Sequence, residues 1–335
     1  MYWITCSSSI IIYFWLMPKI VQIEDEFVDQ NTIFSELILE LKKGFASQNI
    51  WVPMRHHHNF PNPEVAVDST LLIMPAWEPG KEAGVKIVTI SPENGCFGLP
   101  SIQGVYVLLD AFQGGVKAIL EAKSLTAKRT AATSALASSY LSREDSSSLL
   151  MIGTGALSSN LIQAHASVRP IKNVYVWGRN KEKAEAVCNE LSKEDFEINP
   201  VGSIKEIIEK VDIISCATLS KTPLVLGEYL KAGQYVDLVG AYKKDMREAD
   251  DMAIKKASVF VDTLQGGLKE SGDIVIPLQN GTLKADAIKA DLYGLCSGKN
   301  PGRTSEEEIT LFKSVGHALE DLMAATYYHN KFTNG

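Results

Sequence analysis

The segment that most constrains this chain lies near its middle, where the apolar run Leu149-Leu150-Met151-Ile152 passes directly into Gly153-Thr154-Gly155-Ala156-Leu157-Ser158. An amphipathic stretch follows, so the order reads strand, tight turn, helix. Glycine lets the backbone bend sharply and approach a ligand closely, and the unpaired amides that open the next helix attract phosphate. G-x-G-x-x-S is a variant of the dinucleotide-binding fingerprint, with Ser158 small enough to replace the third glycine in close helix packing. By itself such a turn is weak evidence against an ordinary glycine-rich loop. Its position adds information, because nearly half of the 335 residues precede it and must form another structural unit.

The residues after the turn strengthen the first reading. Apolar runs recur at 173–177, 212–217, 235–239 and 258–262, with a weaker one at 197–201, and Lys/Glu/Ala-rich segments at 181–191 and 203–210 separate them. Short apolar runs without polar alternation imply strands buried on both faces. Their alternation with helical segments predicts an α/β fold with a doubly wound parallel sheet of the Rossmann type. In such a sheet an acidic residue roughly twenty positions past the turn binds the ribose hydroxyls of NAD. Here the second strand ends in Trp177-Gly178-Arg179-Asn180-Lys181, without a carboxylate. A guanidinium at this place suits a 2′-phosphate, so NADP(H) is the preferred cofactor and NAD(H) the second candidate. The competing reading makes Arg179 and Lys181 a solvated helix start.

Ahead of the turn the pattern differs. A helical stretch at 31–48 precedes strand candidates at 52–57, 70–76, 83–90, 104–110 and 116–122, with Asp110-Ala111-Phe112-Gln113-Gly114-Gly115 as a hairpin turn. A helix at 125–141 then leads into the glycine turn. The length exceeds one ordinary domain. The division expected is 17–124 together with 305–335 as a substrate-binding and dimerisation domain, and 125–304 as the dinucleotide-binding domain. Residues 1–16 are read as an extension, with Met17 as the natural start. The uncharged run 4–17 is too short to span a bilayer, no basic residue precedes Lys19, and no membrane partner is expected.

Composition excludes some functions. A net charge of −7 without a basic stripe argues against nucleic acid. Cys6, Cys96, Cys188, Cys216 and Cys296 have no C-x-x-C spacing and suit reduced thiols of a cytoplasmic protein. His56-His57-His58 would alternate faces on a strand and lacks partners at ligand spacing, so no metal is expected. Lys86 stands inside the apolar run Val85-Lys86-Ile87-Val88, where an unpaired ammonium is costly, and that singles it out as functional against a lysine reaching out from an edge strand.

Several stretches together resemble the ornithine cyclodeaminase and mu-crystallin family. They are Met74-Pro75-Ala76, Gly84-Val85-Lys86-Ile87-Val88 with Pro92-Glu93-Asn94-Gly95, Leu125-Thr126-Ala127-Lys128-Arg129-Thr130-Ala131-Ala132, the glycine turn, and Phe312-Lys313-Ser314-Val315-Gly316 followed by Glu320-Asp321. The resemblance implies a homodimeric enzyme whose active site lies between an N-terminal domain, completed by the last helix, and a Rossmann domain. It implies that Arg55 and Arg129 clamp a substrate carboxylate and that Lys86 binds substrate and handles the proton. The implied cofactor site takes in Gly153, Thr154, Gly155, Ala156, Leu157, Ser158, Arg179, Asn180, Lys181, Thr218, Gly240, Thr130 and Gly316. His317 is weighed as a cofactor neighbour against a buried or capping role.

Activities in the family turn on hydride exchange with an imine. Cyclodeaminases of the family place an aspartate directly after the Gly-Gly that ends the fifth Rossmann strand, whereas Val239-Gly240-Ala241 is followed here by Tyr242. Asp245 lies three residues further on. The departure favours reduction of a cyclic imino acid, Δ1-pyrroline-2-carboxylate to L-proline, with the six-membered homologue as a further substrate. Ornithine cyclodeamination, an alanine- or opine-type dehydrogenase, and a non-catalytic crystallin-like NADPH-binding protein are the alternatives.

Overall fold

The computed structural model describes residues 20–335. The expected extension 1–16, the start at Met17 and Cys6 lie outside the described residues. Two sheets organise the rest. The first has the order β1-β6-β5-β4-β3-β2, with β1 (Val21–Ile23), β2 (His56–Phe60), β3 (Ser69–Trp77), β4 (Glu82–Ile90), β5 (Ile102–Asp110) and β6 (Val116–Glu121). β2 to β6 form the expected antiparallel meander and β1 joins β6 in parallel. Gly114 takes a φ of 77° in the β5–β6 turn, where Asp110 Oδ1 accepts from the amides of Phe112 and Gln113 at 2.7 and 2.9 Å.

The strand expected at 52–57 begins instead at His56. Pro53 has no amide to give to a ladder, so only Trp51 bridges back, to Trp77. The helix expected at 31–48 is α2 (Phe34–Ser47), and a short helix not expected from the sequence, α1 (Asp25–Gln30), precedes it. Asn31 Nδ2 donates to the Phe27 carbonyl and Thr32 Oγ1 to that of Val28, which closes α1 before α2 can continue it.

α3 (Ala122–Leu141) carries the chain from the first sheet to the second and is buried over most of its circumference. It touches α2, β5 and β6 on one side and the strands Tyr235–Leu238 and Thr310–Lys313 on the other. A helix flanked on both sides must be apolar or small all round, and the run Thr130-Ala131-Ala132-Thr133-Ser134-Ala135 meets that need.

The second sheet is entirely parallel, in the order β13-β12-β14-β11-β10-β7-β8-β9, with β7 (Ser148–Ile152), β8 (Asn173–Trp177), β9 (Glu197–Pro200), β10 (Ile213–Cys216), β11 (Tyr235–Leu238), β12 (Ser258–Val261), β13 (Ala290–Asp291) and β14 (Thr310–Lys313). Helices α4 (Ser158–Ala166) and α5 (Lys181–Glu190) follow β7 and β8. Chain order runs outward from β7 through β8 and β9 and resumes on its other flank with β10. That switch places a ligand crevice at the carboxyl ends of β7 and β10.

The expected boundary at residue 305 is corrected. β14 pairs with β11 and β12 inside the second sheet, and only the C-terminal helix Ala318–Asn334 returns to the first domain, against α2, α3, β3, β4 and β5. The single charge of Lys313 in a four-residue run hides the strand from periodicity.

Candidate functional site

The glycine turn has the shape its letters require. Gly153 adopts a φ of 125°, and a Cβ there would stand 2.5 Å from the Ala217 carbonyl oxygen. Ser158 Oγ donates to the Gly153 carbonyl at 2.9 Å, so the serine closes the turn that a third glycine would leave open. A Cβ on Gly155 would meet nothing within 4 Å. Among the described residues the amides of Thr154, Gly155, Ala156 and Leu157 donate to no acceptor, and an open cleft of about 1060 Å³ borders this backbone. Free amides, an open glycine and the start of α4 fit a pyrophosphate.

At the end of β8, a Cβ on Gly178 would lie 2.6 Å from Thr154 Cγ2, so the strand exit packs on the turn. Arg179 is exposed and forms no ion pair among the described residues. Its neighbours have structural tasks: Asn180 Oδ1 caps α5 by accepting from the Lys183 amide at 3.0 Å, and Lys181 pairs with Glu185 at 3.4 Å.

Thr218 and Gly240 leave the carboxyl ends of β10 and β11 and touch. A Cβ on Gly240 would stand 2.0 Å from the Thr218 carbonyl oxygen, and that oxygen accepts from the Ala241 amide at 2.9 Å. Tyr242 is exposed beside them, while Asp245 pairs with Lys221 at 2.7 Å in solvent and supplies no carboxylate here.

The three expected cations form one cluster. Lys86 occupies an interior strand, β4, on the face turned to the helices, and is 3% exposed, which removes the edge-strand alternative. Its Nζ donates to Asp321 Oδ1 at 2.7 Å, and the same oxygen accepts from Arg129 Nε at 2.9 Å. Arg129 Nη1 reaches Glu320 Oε2 at 2.5 Å. Among the described residues Arg129 Nη2 has no hydrogen-bond partner, so one nitrogen and not a whole fork is open to an anion. Arg55 Nη2 donates to the carbonyls of Val315 and Gly316 and lies 3.3 Å from Glu270. Gly316 sits at φ 82°, its added Cβ 3.0 Å from Arg129 Nη1, which places it between the two arginines. Thr130 is buried one residue beyond Arg129 on α3. Asp262, at the exit of β12, fixes this loop by accepting from the Val315 and Gly316 amides at 2.6 and 2.7 Å.

Electrostatics follow from burial. Desolvation, with the Arg129 charge acting in the same direction, brings the Lys86 ammonium down to about 8, and Asp321 opposes it. Burial raises Glu320 to about 7 against the pull of Arg129. Burial also pushes Asp321 up, yet Arg129 and Lys86 together hold it below the usual carboxylate range. His317 precedes the C-terminal helix without a side-chain capping bond, and burial lowers it to about 4, so the neutral ring lines a 300 Å³ cavity with Val52, Thr263 and Tyr293. His56, His57 and His58 lie exposed on β2, and among the described residues no three ligating side chains gather as a metal site.

Glu320, Asp321, Asp262 and Glu270 hold these cations and the loop between them through contacts that the sequence alone did not assign. A pair of acids inside Ala318-Leu319-Glu320-Asp321-Leu322 was the available signal, since charges among apolar residues need buried partners.

Known proteins resemble this chain over nearly all its length. A family model described as the ornithine cyclodeaminase/mu-crystallin family matches residues 20–335. A Δ1-pyrroline-2-carboxylate reductase of Colwellia psychrerythraea is 37% identical over 310 residues, covering 90% of this chain and 96% of that protein. The solved structure of Thermococcus litoralis Δ1-pyrroline-2-carboxylate reductase with NADH and L-proline superposes at a TM-score of 0.87 and 32% identity, over 94% of this chain and 98% of that one. An archaeal alanine dehydrogenase dimer with bound NAD gives 0.86 at 25% identity, over 94% and 96% of the two chains.

Proposed function

This chain belongs to the ornithine cyclodeaminase/mu-crystallin family, and from that premise we propose that it reduces a cyclic imino acid, Δ1-pyrroline-2-carboxylate to L-proline, with a nicotinamide dinucleotide. The observation that carries the reading is the buried cluster of Lys86 and Arg129 on one carboxylate, Asp321, with Arg55 joined to it through Gly316. The reductases of similar sequence support it.

The nicotinamide, when bound, supplies the hydride. The amides of Thr154 to Leu157 would hold the pyrophosphate, and the exits at Thr218 and Gly240 would flank the nicotinamide. Arg129 Nη2 and Arg55 bind the substrate carboxylate and fix the ring. Lys86 gives a proton to the ring nitrogen as the carbon gains its hydrogen and the C=N pair moves onto nitrogen. Asp321 keeps that lysine charged in a desolvated place. Tyr242, where cyclodeaminases of the family carry aspartate, supports reduction over deamination.

NADP(H) is the cofactor we assign as preferred, with NAD(H) second; the support is the exposed Arg179 guanidinium at the end of β8, which has no ion pair among the described residues. The Thermococcus litoralis complex holds NADH, so the preference is one to measure on this chain. A homodimer is supported by the outer face of the first sheet, where Leu71, Ile73, Val85, Ile87, Val105 and Val107 point away from the helices. The free thiols of Cys96, Cys188, Cys216 and Cys296 support a reducing compartment, the cytoplasm.

The test is oxidation of NADPH and of NADH with Δ1-pyrroline-2-carboxylate, run beside ammonia release from ornithine. Turnover of the imino acid is expected. Turnover of ornithine alone overturns the reading, and turnover of neither points to a binding protein.

A further inference from the structure

We propose that Lys313 is a positioning residue for the nicotinamide half of the cofactor, its buried ammonium tying together the backbone exits of β10 and β11. The inference rests on the reading of the second sheet as a nicotinamide dinucleotide site. Lys313 ends β14, in register with Leu238 of β11 and Val261 of β12, and is wholly buried. An ammonium is not left in such a place without partners. The Gly240 carbonyl accepts from it, Asp273 Oδ2 lies 3.1 Å away and Glu248 Oε2 3.8 Å away.

The two acids carry the connection further. Glu248 Oε1 accepts from the Thr218 amide at 2.6 Å and from its hydroxyl at 2.8 Å. Asp273 Oδ1 accepts from the amides of Glu248 and Ala249 at 2.7 and 3.1 Å and so holds Glu248 in place. A continuous path therefore runs from Gly240 through Lys313 and Glu248 to Thr218. The same two exits already press together: a Cβ on Gly240 would meet the Thr218 nitrogen at 2.4 Å and Glu248 Oε1 at 2.6 Å. Backbone so close needs a fixed relative position, and a charge-assisted network in a desolvated interior provides it. Lys313, having no exposed surface, acts only through the groups it holds.

The consequence is selective. Adenosine, ribose and pyrophosphate bind at the glycine turn and the end of β8, which Lys313 does not touch, whereas the nicotinamide riboside lies against the exits it sets. The experiment compares binding of NADH and of ADP-ribose, by calorimetry, to the wild-type chain and to Lys313→Met and Glu248→Gln. NADH should weaken at least tenfold in Lys313→Met and severalfold in Glu248→Gln, with ADP-ribose within twofold of wild type in both. Glu248→Gln keeps an acceptor for Thr218 and carries the test should Lys313→Met not fold. Equal losses for the two ligands would mean a general stabilising role and overturn the proposal, as would no loss for either. The comparison uses no imino acid, so its outcome does not depend on whether that substrate is turned over.

Discussion

Lys86 illustrates what one residue discloses. A lysine amid valines and isoleucines has to be paired or functional, and the structure pairs it with Asp321 inside the cluster that holds Arg129. A lysine that gives a proton works while protonated, and burial has brought Lys86 down to about 8, so turnover should fall as pH rises through that value. Asp321 opposes burial. Asp321→Asn should therefore move the alkaline limb of the pH–rate profile to lower pH, by about one unit or more; an unmoved limb would show that some other group titrates. Arg179 sits in solvent, and the phosphate-reading role we propose for it rests on its position alone. Arg179→Asp should weaken NADPH roughly ten- to a hundredfold, the worth of a charged hydrogen bond or two, and NADH far less. Equal losses in the two Michaelis constants would remove the phosphate-reading role. The logic that singled out Lys86 applies equally to Lys313, which closes an apolar strand, yet there the strand itself was hidden by its brevity.

Among the elements, α3 links everything. Its length was legible from the run before the glycine turn, but its place between two sheets was not, because a helix of Ala, Ser and Thr shows little amphipathic contrast. Leu136 on this helix is completely buried. Leu136→Ala should lower the unfolding free energy by about 2–5 kcal/mol in urea titration, the range for a large cavity in a packed core. A loss under about 1 kcal/mol would mean that the site collapses around the deletion. Helix ends were less legible than helix existence. Asn31 and Thr32 bond back into α1, a helix not expected from the sequence, and so delay the start of the expected helix to Phe34, a choice between side-chain and main-chain donors that periodicity does not encode.

Across the molecule, the described residues place helices on one face only of the first sheet. Its other face presents a continuous apolar surface, and a second copy of the chain is the occupant we assign to it. Ile87 lies on that face, next in sequence to Lys86 but pointing the opposite way, and is 38% exposed. Ile87→Glu should convert a dimer to a monomer in sedimentation velocity at micromolar concentration while the glycine turn still binds ADP-ribose. A wild-type chain that sediments as a monomer, or a variant that stays dimeric, would remove the face from the assembly.

The parallel sheet, the glycine turn and its serine, the basic exit of β8 and the hairpin at Asp110 were all legible in the amino-acid order, because each is written in residues close along the chain. Lys86 was marked there too, since an apolar neighbourhood is local information. Folding in three dimensions decided which acids neutralise the cations: Asp321 lies 235 residues from Lys86 and 192 from Arg129, and no periodicity spans such intervals. It likewise decided that β14 sits between β11 and β12, which places Lys313 beneath Gly240 and Thr218. Strand order and the pairing of buried charges are settled by packing, where desolvation makes every unpartnered ion costly.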